Sequence, residues 1–558
     1  MLRVPLLCLA IFVTAWLEFT VFPGHSYLQG DTQLYVPMLE RMDAPGLLSR
    51  DLVATNPTLS LTAYDEATLL LHVVGKQPFR RALLAQEFVF RIAAIVGVFL
   101  LVRATGLSHL FAFVVAAVVN LGATVAGPAV FLTDREPLPG PFALALTLLA
   151  MGLLAQDKPL LAGLAGGIAF LYDPVLAGPF WCVLLAAFWF DRGMRVLVKP
   201  ILPLFLVFVL LLANLAQLQP GTAAEPILTR ISAQLVVFQQ IYTSHLYVSD
   251  WPAGEIYQLL ALAVFGVWAA VRCWPLLSGC FRWLVFGTAL CGLLSIPLSF
   301  TLTDERHYLW AARLQPARTL IFTAAASALL FALAGMRALL RRSPFESLGW
   351  FVLLFLLPLS RGVFESVRLS SAERVSQFAV AFALAALLTG LLLGFASGGA
   401  RFVAIAAPAV AMFALGYLPG LHPASNLPTP ATIELAQWAD ASTWGSSLFL
   451  FPDADKAGYP SVFRAQSRHG LWVDWNTARG VAYSDSAAEL WQSRWKSTMQ
   501  HGFSTDNLQN MLPLPIDYYV LRRRNELAGA RHAFINRDFV VYEAEDLRNT
   551  PKPLRLNP

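Results

Sequence analysis

The chain has 558 residues, of which 57% are hydrophobic and only 13% charged, and its mean hydropathy is +0.59; soluble domains carry about 25% charged residues, so this is a multi-span membrane protein. The net charge of +5 is spread as basic residues between apolar runs rather than along one face or tail, which argues against nucleic-acid binding. The five cysteines, Cys8, Cys182, Cys273, Cys280 and Cys291, lie in or beside apolar runs, so neither a disulfide framework nor Cys/His metal spacing is expected.

The N-terminal MLRVPLLCLAIFVTAWLEFTVF has one Arg ahead of a long apolar stretch and no small-x-small cleavage site, so it reads as a retained first span. Runs able to cross a hydrocarbon core of about 30 Å fall near 4–22, 86–103, 108–128, 139–155, 159–175, 176–190, 200–217, 256–271, 283–303, 316–340, 348–360, 376–396 and 402–420. That makes about thirteen spans, with 159–190 broken at Asp173-Pro174. With the N-terminus inside, the inner loops carry Arg103, Lys158, DRGMRVLVK, RCWPLLSGCFR, MRALLRRSPFES and Arg401, as the positive-inside rule requires. The long outer loops 23–85 and 218–255 hold amphipathic stretches such as PILTRISAQLVVFQQIY, expected to lie in the interface plane. From about 430 the composition turns soluble. TIELAQWADAS and SAAELWQSRWKSTMQ read as helices, and SLFLF, GLWVDW, DYYVLR and FVVYEA as strands, which together suggest a small α/β domain. Trp491 and Trp495, four apart on a helix, are expected in its core, while Asp474 alternates out of a strand toward solvent. The expected fold is thus a multi-span α-helical membrane domain over 1–420, followed by an outer α/β domain over 421–558.

Charge at a membrane boundary is costly unless used or paired, and three clusters on one expected side meet that test. The first is Asp31, with His25, Tyr27 and Tyr35 nearby. As a cap it would open a helix at Thr32; as a base it would need to stay ionised and face a cavity. The second is FLTDREPLPGP, with Asp134 and Glu136 two apart. Such side chains point the same way in an extended loop and could share a cation or a phosphate-bound metal, or simply be solvated beside Arg135. The third runs through LTDERHYLWAARLQPARTL, where Asp304, Glu305, Arg306 and His307 lead to Arg313 and Arg318. Guanidinium groups suit phosphate recognition, although a Tyr308 and Trp310 interfacial belt with snorkelling Arg fits the same residues. Arg91, inside the second span, pairs with Glu87 or reaches an anionic lipid head. His72, His109, His245 and His469 lack partners at ligand spacing. The sequence has no G-x-S-x-G, Walker A or dinucleotide fingerprint.

With its many spans, the acid of LQGDTQLY soon after the first span and the TDRE segment in the second outer loop, the chain resembles the GT-C superfamily of membrane glycosyltransferases. The resemblance is one of architecture over nearly the whole length and of residues over a few short motifs. It implies an enzyme of a bacterial cytoplasmic membrane that takes a sugar from a polyprenyl-phosphate donor and needs no nucleotide site. Asp31 would then be the base, and Asp134 and Glu136 the second-loop acids. The donor would lie among Tyr35, Arg91, Asp304, Glu305, Arg306, His307, Arg313 and Arg318. The acceptor, a glycan, lipid or protein, is left open, as is a divalent cation (Mg or Mn) on Asp31, Asp134 and Glu136. LWVDW matches the W-W-D of oligosaccharyltransferases only superficially, which disfavours sequon glycosylation. A flippase for lipid-linked glycans would want mid-span charges and an internal repeat; few such charges and no repeat are present. A non-catalytic envelope scaffold is the third alternative.

Overall fold

The computed structural model describes residues 3–56, 62–125, 127–218, 228–358, 374–396, 427–550 and 553–557. Among these, four helices are long and apolar enough to cross a bilayer: Phe79–Arg103, Ala253–Leu276, Gly279–Glu305 and Leu309–Leu340. A fifth is added if Arg192–Val198 and Leu202–Leu215, bent by 53°, form one span. Seven apolar helices of 10–17 residues accompany them. The expected run 402–420 and the end of 348–360 lie outside the described residues. Proline sets where several of these helices start. Pro139, Pro159, Pro174 and Pro344 all stand in the first turn of their helices, where a missing N–H and a fixed φ are tolerated. The helices Phe79–Arg103 and Pro139–Ala155 meet backbone to backbone: a Cβ on Gly152 would stand 2.2 Å from the Gly97 carbonyl oxygen.

The loops gather at two opposite ends of this bundle. At one end, the Arg272 guanidinium pairs with Glu346, and Trp283 Nε1 donates to Asp191 at 2.9 Å. At the other, the Ser26 amide donates to the Arg135 carbonyl at 2.6 Å and Arg318 pairs with Asp173. The 21-residue helix Gly279–Ser299 separates the ends by about 30 Å.

The polar stretch after 427 forms a mixed sheet that docks on the second end. Strand β1 (Thr124–Val125) and strand β2 (Val130–Phe131) make a small hairpin within the bundle. Strands β3 (Leu448–Leu450), β4 (Gly470–Leu471), β5 (Tyr518–Arg522), β6 (Phe534–Ile535) and β7 (Phe539–Glu543) form the sheet, in the order β4-β3-β5-β7-β6. Strands β4 and β5 run parallel to β3, and β7 is antiparallel to both β5 and β6. Side chains alternate with the period of two that a pleated strand imposes. Phe449, Val520 and Val541 face helices Pro430–Ser442 and Tyr459–Ser467, whereas Leu450, Tyr519, Leu521 and Tyr542 join a second core with Trp491.

That second core continues into the loops of the bundle. Phe238, on helix Ala233–Tyr242, meets Trp491 edge to face at 5.6 Å, and Gln239 Nε2 donates to the Ala482 carbonyl at 2.6 Å. The helical part of the amphipathic stretch thus turns Leu235 and Phe238 toward the sheet unit, while Val237 and Ile241 stay exposed. Asp474 is not solvent-facing but 2% exposed. Its position lies beyond the end of β4, where strand alternation no longer dictates direction, and it accepts from Ser461 and Thr477 hydroxyls and from Arg464 Nη1. Arg464, fully buried, also reaches Asp51 Oδ2 at 3.7 Å and donates to the Gln33 carbonyl at 3.3 Å. Asp51 in turn caps the short helix Leu52–Thr55 and accepts from the Leu471 amide.

Removing one member of a buried ion network strands the others without a partner. Arg464→Ala should destabilise the chain by about 3–5 kcal/mol, read as the denaturation midpoint of the detergent-solubilised protein. Arg468→Ala, which breaks the exposed pair with Asp440, should cost below about 1 kcal/mol.

Candidate active site

The helix Thr32–Asp43 starts directly after YLQGD, and its first amides need acceptors. Asp31 does not supply them. Its own backbone is helical (φ −70°, ψ −18°) and its side chain makes no cap hydrogen bond. The acceptor is Glu136, from the second loop: Oε1 receives the Gln29 and Gly30 amides, both at 2.7 Å, and Oε2 the Thr32 amide at 3.0 Å. A left-handed residue, Leu28 (φ +61°), turns these amides toward one point. It is fixed by its N–H to Thr32 Oγ1 and by Gln33 Nε2 to its carbonyl, both 2.8 Å. Such an amide nest is an anion site, and here a protein carboxylate fills it. Burial pushes the Glu136 carboxyl up to about 6, against the pull of the three amides.

Relieved of capping, the Asp31 side chain is 49% exposed, with Arg479 Nη1 at 4.0 Å from its Oδ1. Several further groups lie in its electrostatic field. Burial holds the Tyr35 hydroxyl well above its ordinary range, and the charge of Asp31 adds to this. Tyr483 is pushed up to about 12 by burial and then by Asp31, while Gln315 Nε2 donates to its oxygen at 2.9 Å. His245 is lowered by burial, so its ring stays neutral more readily, against the opposing influence of Asp31. Asp134 is raised, first by burial and also by Asp31; its Oδ1 accepts from the Arg135 and Glu136 amides.

Asp173, visible in the sequence only as a helix break, has two roles. One oxygen caps helix Pro174–Phe190 through the Val175 and Leu176 amides, and the other takes Arg318 Nη1 at 2.8 Å. Arg318 follows a left-handed turn at Gln315 (φ +53°) and passes directly over Gly140, where a Cβ would stand 2.1 Å from Nη2. Arg313 reaches the same region, with Nη2 donating to the Tyr483 carbonyl at 3.2 Å.

The third charged cluster is thereby divided. Asp304 accepts from the Val248 and Ser249 amides and pins that turn. His307 Nδ1 bonds the Thr303 carbonyl at 2.8 Å, and Glu305 and Arg306 are exposed. Arg91 is spent on structure: it pairs with Glu87 and donates to the carbonyls of Glu18, Gly24 and Asp134. The site thus draws together Asp31, Tyr35, Asp134, Glu136, Arg313 and Arg318, and adds Asp173, His245, Arg479 and Tyr483. No spacing in the sequence marks the last three.

Asp31, Asp134 and Glu136 do not form a ready-made three-carboxylate cation site among the described residues. Both Glu136 oxygens and Asp134 Oδ1 already accept backbone N–H groups, so these oxygens are partly taken up by donor hydrogens. Among the described residues, no group of three or more His, Cys, Asp or Glu side chains is placed to hold a metal ion.

No family model and no curated protein matches the sequence. Among solved structures, the chain is similar to ArnT from Cupriavidus metallidurans in the apo state at 13% identity, with 98% of this chain and 99% of that one covered and a TM-score of 0.45. For ArnT bound to undecaprenyl phosphate the values are 12% identity, 97% of each chain and 0.44. It is also similar to an Archaeoglobus fulgidus oligosaccharyltransferase at 15% identity, covering 93% of this chain and 68% of that one, with a TM-score of 0.38. Arabinofuranosyltransferase AftD from Mycobacteria matches at 16% identity over 94% of this chain and 35% of its own length, with a TM-score of 0.42.

Hydrogen bonds to a charged group contribute about 1.5–3 kcal/mol, so Glu136→Ala should speed amide exchange at Gln29, Gly30 and Thr32 by about ten- to a hundredfold. The pH dependence has two signs. A carboxyl raised from its ordinary 4.5 to about 6 lends global stability that is full below 4.5 and lost as pH rises through 6. The charged tether itself exists only above about 6. Lowering pH through that value should therefore loosen these three amides while the denaturation midpoint does not fall on Glu136's account. Glu136→Gln should erase the local pH dependence.

Proposed function

We propose that the chain is a GT-C-type glycosyltransferase that moves a sugar from a polyprenyl-phosphate donor to an acceptor hydroxyl, with Asp31 as the base. One observation carries the reading: a remote acid, Glu136, caps the helix that Asp31 precedes. This leaves Asp31's carboxylate anchored by its backbone, half exposed, and beside cationic and hydroxyl groups. A general base needs that combination of fixed position and access.

In the reaction, Asp31 takes the proton of the acceptor hydroxyl as that oxygen attacks the anomeric carbon. The bond from the anomeric carbon to the phosphate oxygen breaks, and the polyprenyl phosphate leaves with the electron pair. Arg318, held by Asp173, and Arg313 face the phosphate and stabilise its growing charge. Tyr35 and Tyr483 line the sugar. Arg91, Asp304 and His307 support the surrounding loops, and Glu305 and Arg306 lie at the exposed margin. No step is routed through a cation.

The end of the bundle that holds Asp31 is assigned to the outer side of a bacterial cytoplasmic membrane. The opposite end carries the basic loops around Arg195, Arg272 and Arg341, as expected of a cytoplasmic face. In this reading about thirteen spans make up a membrane domain over 1–420, and 421–558 form an outer α/β domain.

Asp31→Asn should lower transfer by about 10²–10⁴-fold, measured as label passing from radiolabelled polyprenyl-phosphate sugars to membrane acceptors. Its denaturation midpoint should stay within about 0.5 kcal/mol of the parent, as for an exposed side chain without cap bonds. Full transfer by this variant would sink the assignment of the base.

A further inference from the structure

The helix Tyr64–Gly75 is locked to the bundle at its start and bare at its end. Tyr64 donates to the Pro137 carbonyl at 2.8 Å, and Gln86 Nε2 donates to Thr68 Oγ1 at 3.1 Å. One turn later Leu70, Leu71, Val73 and Val74 are exposed, by 62, 42, 62 and 73%. At 12 residues the helix rises about 18 Å, too little to cross a bilayer. Three residues separate its end from Phe79, where the first long apolar helix begins, so its bare end lies level with the boundary of that span.

Three cations follow the apolar tip: Lys76, Arg80 and Arg81 are all exposed, and no Asp or Glu occurs between residues 70 and 81. The tip is stiff. Lys76 is left-handed (φ +48°), the His72 ring stacks on Phe79 at 4.2 Å, and its Nδ1 bonds the Gln77 carbonyl at 2.6 Å. Arg80 also stands over the Tyr27 ring, 5.8 Å from its centroid, beside the loop that carries Asp31.

Apolar side chains followed at once by exposed basic charge suit the boundary between acyl chains and anionic headgroups. We propose that Leu70–Arg81 is an anchor for anionic phospholipid: the four apolar side chains enter the acyl boundary, and Lys76 and Arg81 bind lipid phosphates. The charge complementarity, together with the tip's closeness to the start of the first long apolar helix, selects an anionic bilayer surface over a protein partner. The inference rests on the membrane reading of the chain and not on its chemistry, so it stands or falls apart from the transferase assignment.

The test is hydrogen exchange of the full chain in nanodiscs of phosphatidylcholine alone and of phosphatidylcholine mixed with phosphatidylglycerol. Peptides covering 64–81 should exchange more slowly with phosphatidylglycerol, by about fivefold for each engaged cation, and high salt should remove the difference. Lys76→Gln with Arg81→Gln should abolish the lipid dependence, whereas Leu70→Asn with Val74→Asn should speed exchange in both lipids. Equal exchange in the two lipids, or a lipid difference that survives loss of both cations, would overturn the proposal.

Discussion

The site depends on one carboxylate that is bound to backbone amides. Glu136 accepts the amides of Gln29, Gly30 and Thr32, and each such bond to a charged acceptor is worth more than a neutral one. A helix start would ordinarily take its acceptor from the residue just before it. Here the acceptor comes from another loop, so the helix start and the second loop are joined into one rigid unit. The adjacent acid, Asp31, is thereby spared from structural duty at the place where the backbone is best held.

The first loop is gripped from its other side as well. Arg464 donates to the Gln33 carbonyl and meets Asp51 and Asp474, while Asn476 Nδ2 donates to Gln33 Oε1 at 2.6 Å. Residues 28–33 thus lie between an anionic clamp from the helical bundle and a cationic one from the sheet unit. Both clamps are buried, and their charges are costly to leave unpaired. Arg479 and Asp31, the pair at the opening, are about half exposed and 4.0 Å apart, a separation at which solvent screens their attraction. Burial therefore separates the charges that hold the loop from those free to meet a ligand.

What could be read from the sequence divides along the same line between local and remote causes. The helix from Thr32, the break at Asp173-Pro174, the buried Trp491 and the strands of LFL, YYVLR and FVVYE follow from short-range pattern and proline chemistry. The capping of Thr32 did not, because a local rule names the nearest acid and cannot see Glu136 across the fold. Strand alternation extended past the two-residue strand turns Asp474 to solvent, whereas the side chain is buried. The run from Asp304 to Arg318 looked like one patch. A π-helical turn over Phe300–Glu305 and a left-handed Gln315 aim its two halves at different partners. His245, Arg479 and Tyr483 have no local signal at all, since only tertiary packing brings them near Asp31.

Arg318 shows why the cationic side of the site can be both fixed and usable. Its guanidinium is positioned by an Asp173 that is itself anchored by two amides of the next helix, and the absent side chain of Gly140 leaves it room. Nη1 makes that pair, and Nη2 lies against Gly140, so the planar guanidinium is fixed in two directions at once. A lysine could satisfy Asp173 but would bring no second, fixed direction of donation. The two charges are thus fixed by different means: at Asp31 a remote acid, Glu136, takes the bonds a cap would make, whereas Arg318 is held through its own bond to an anchored Asp173.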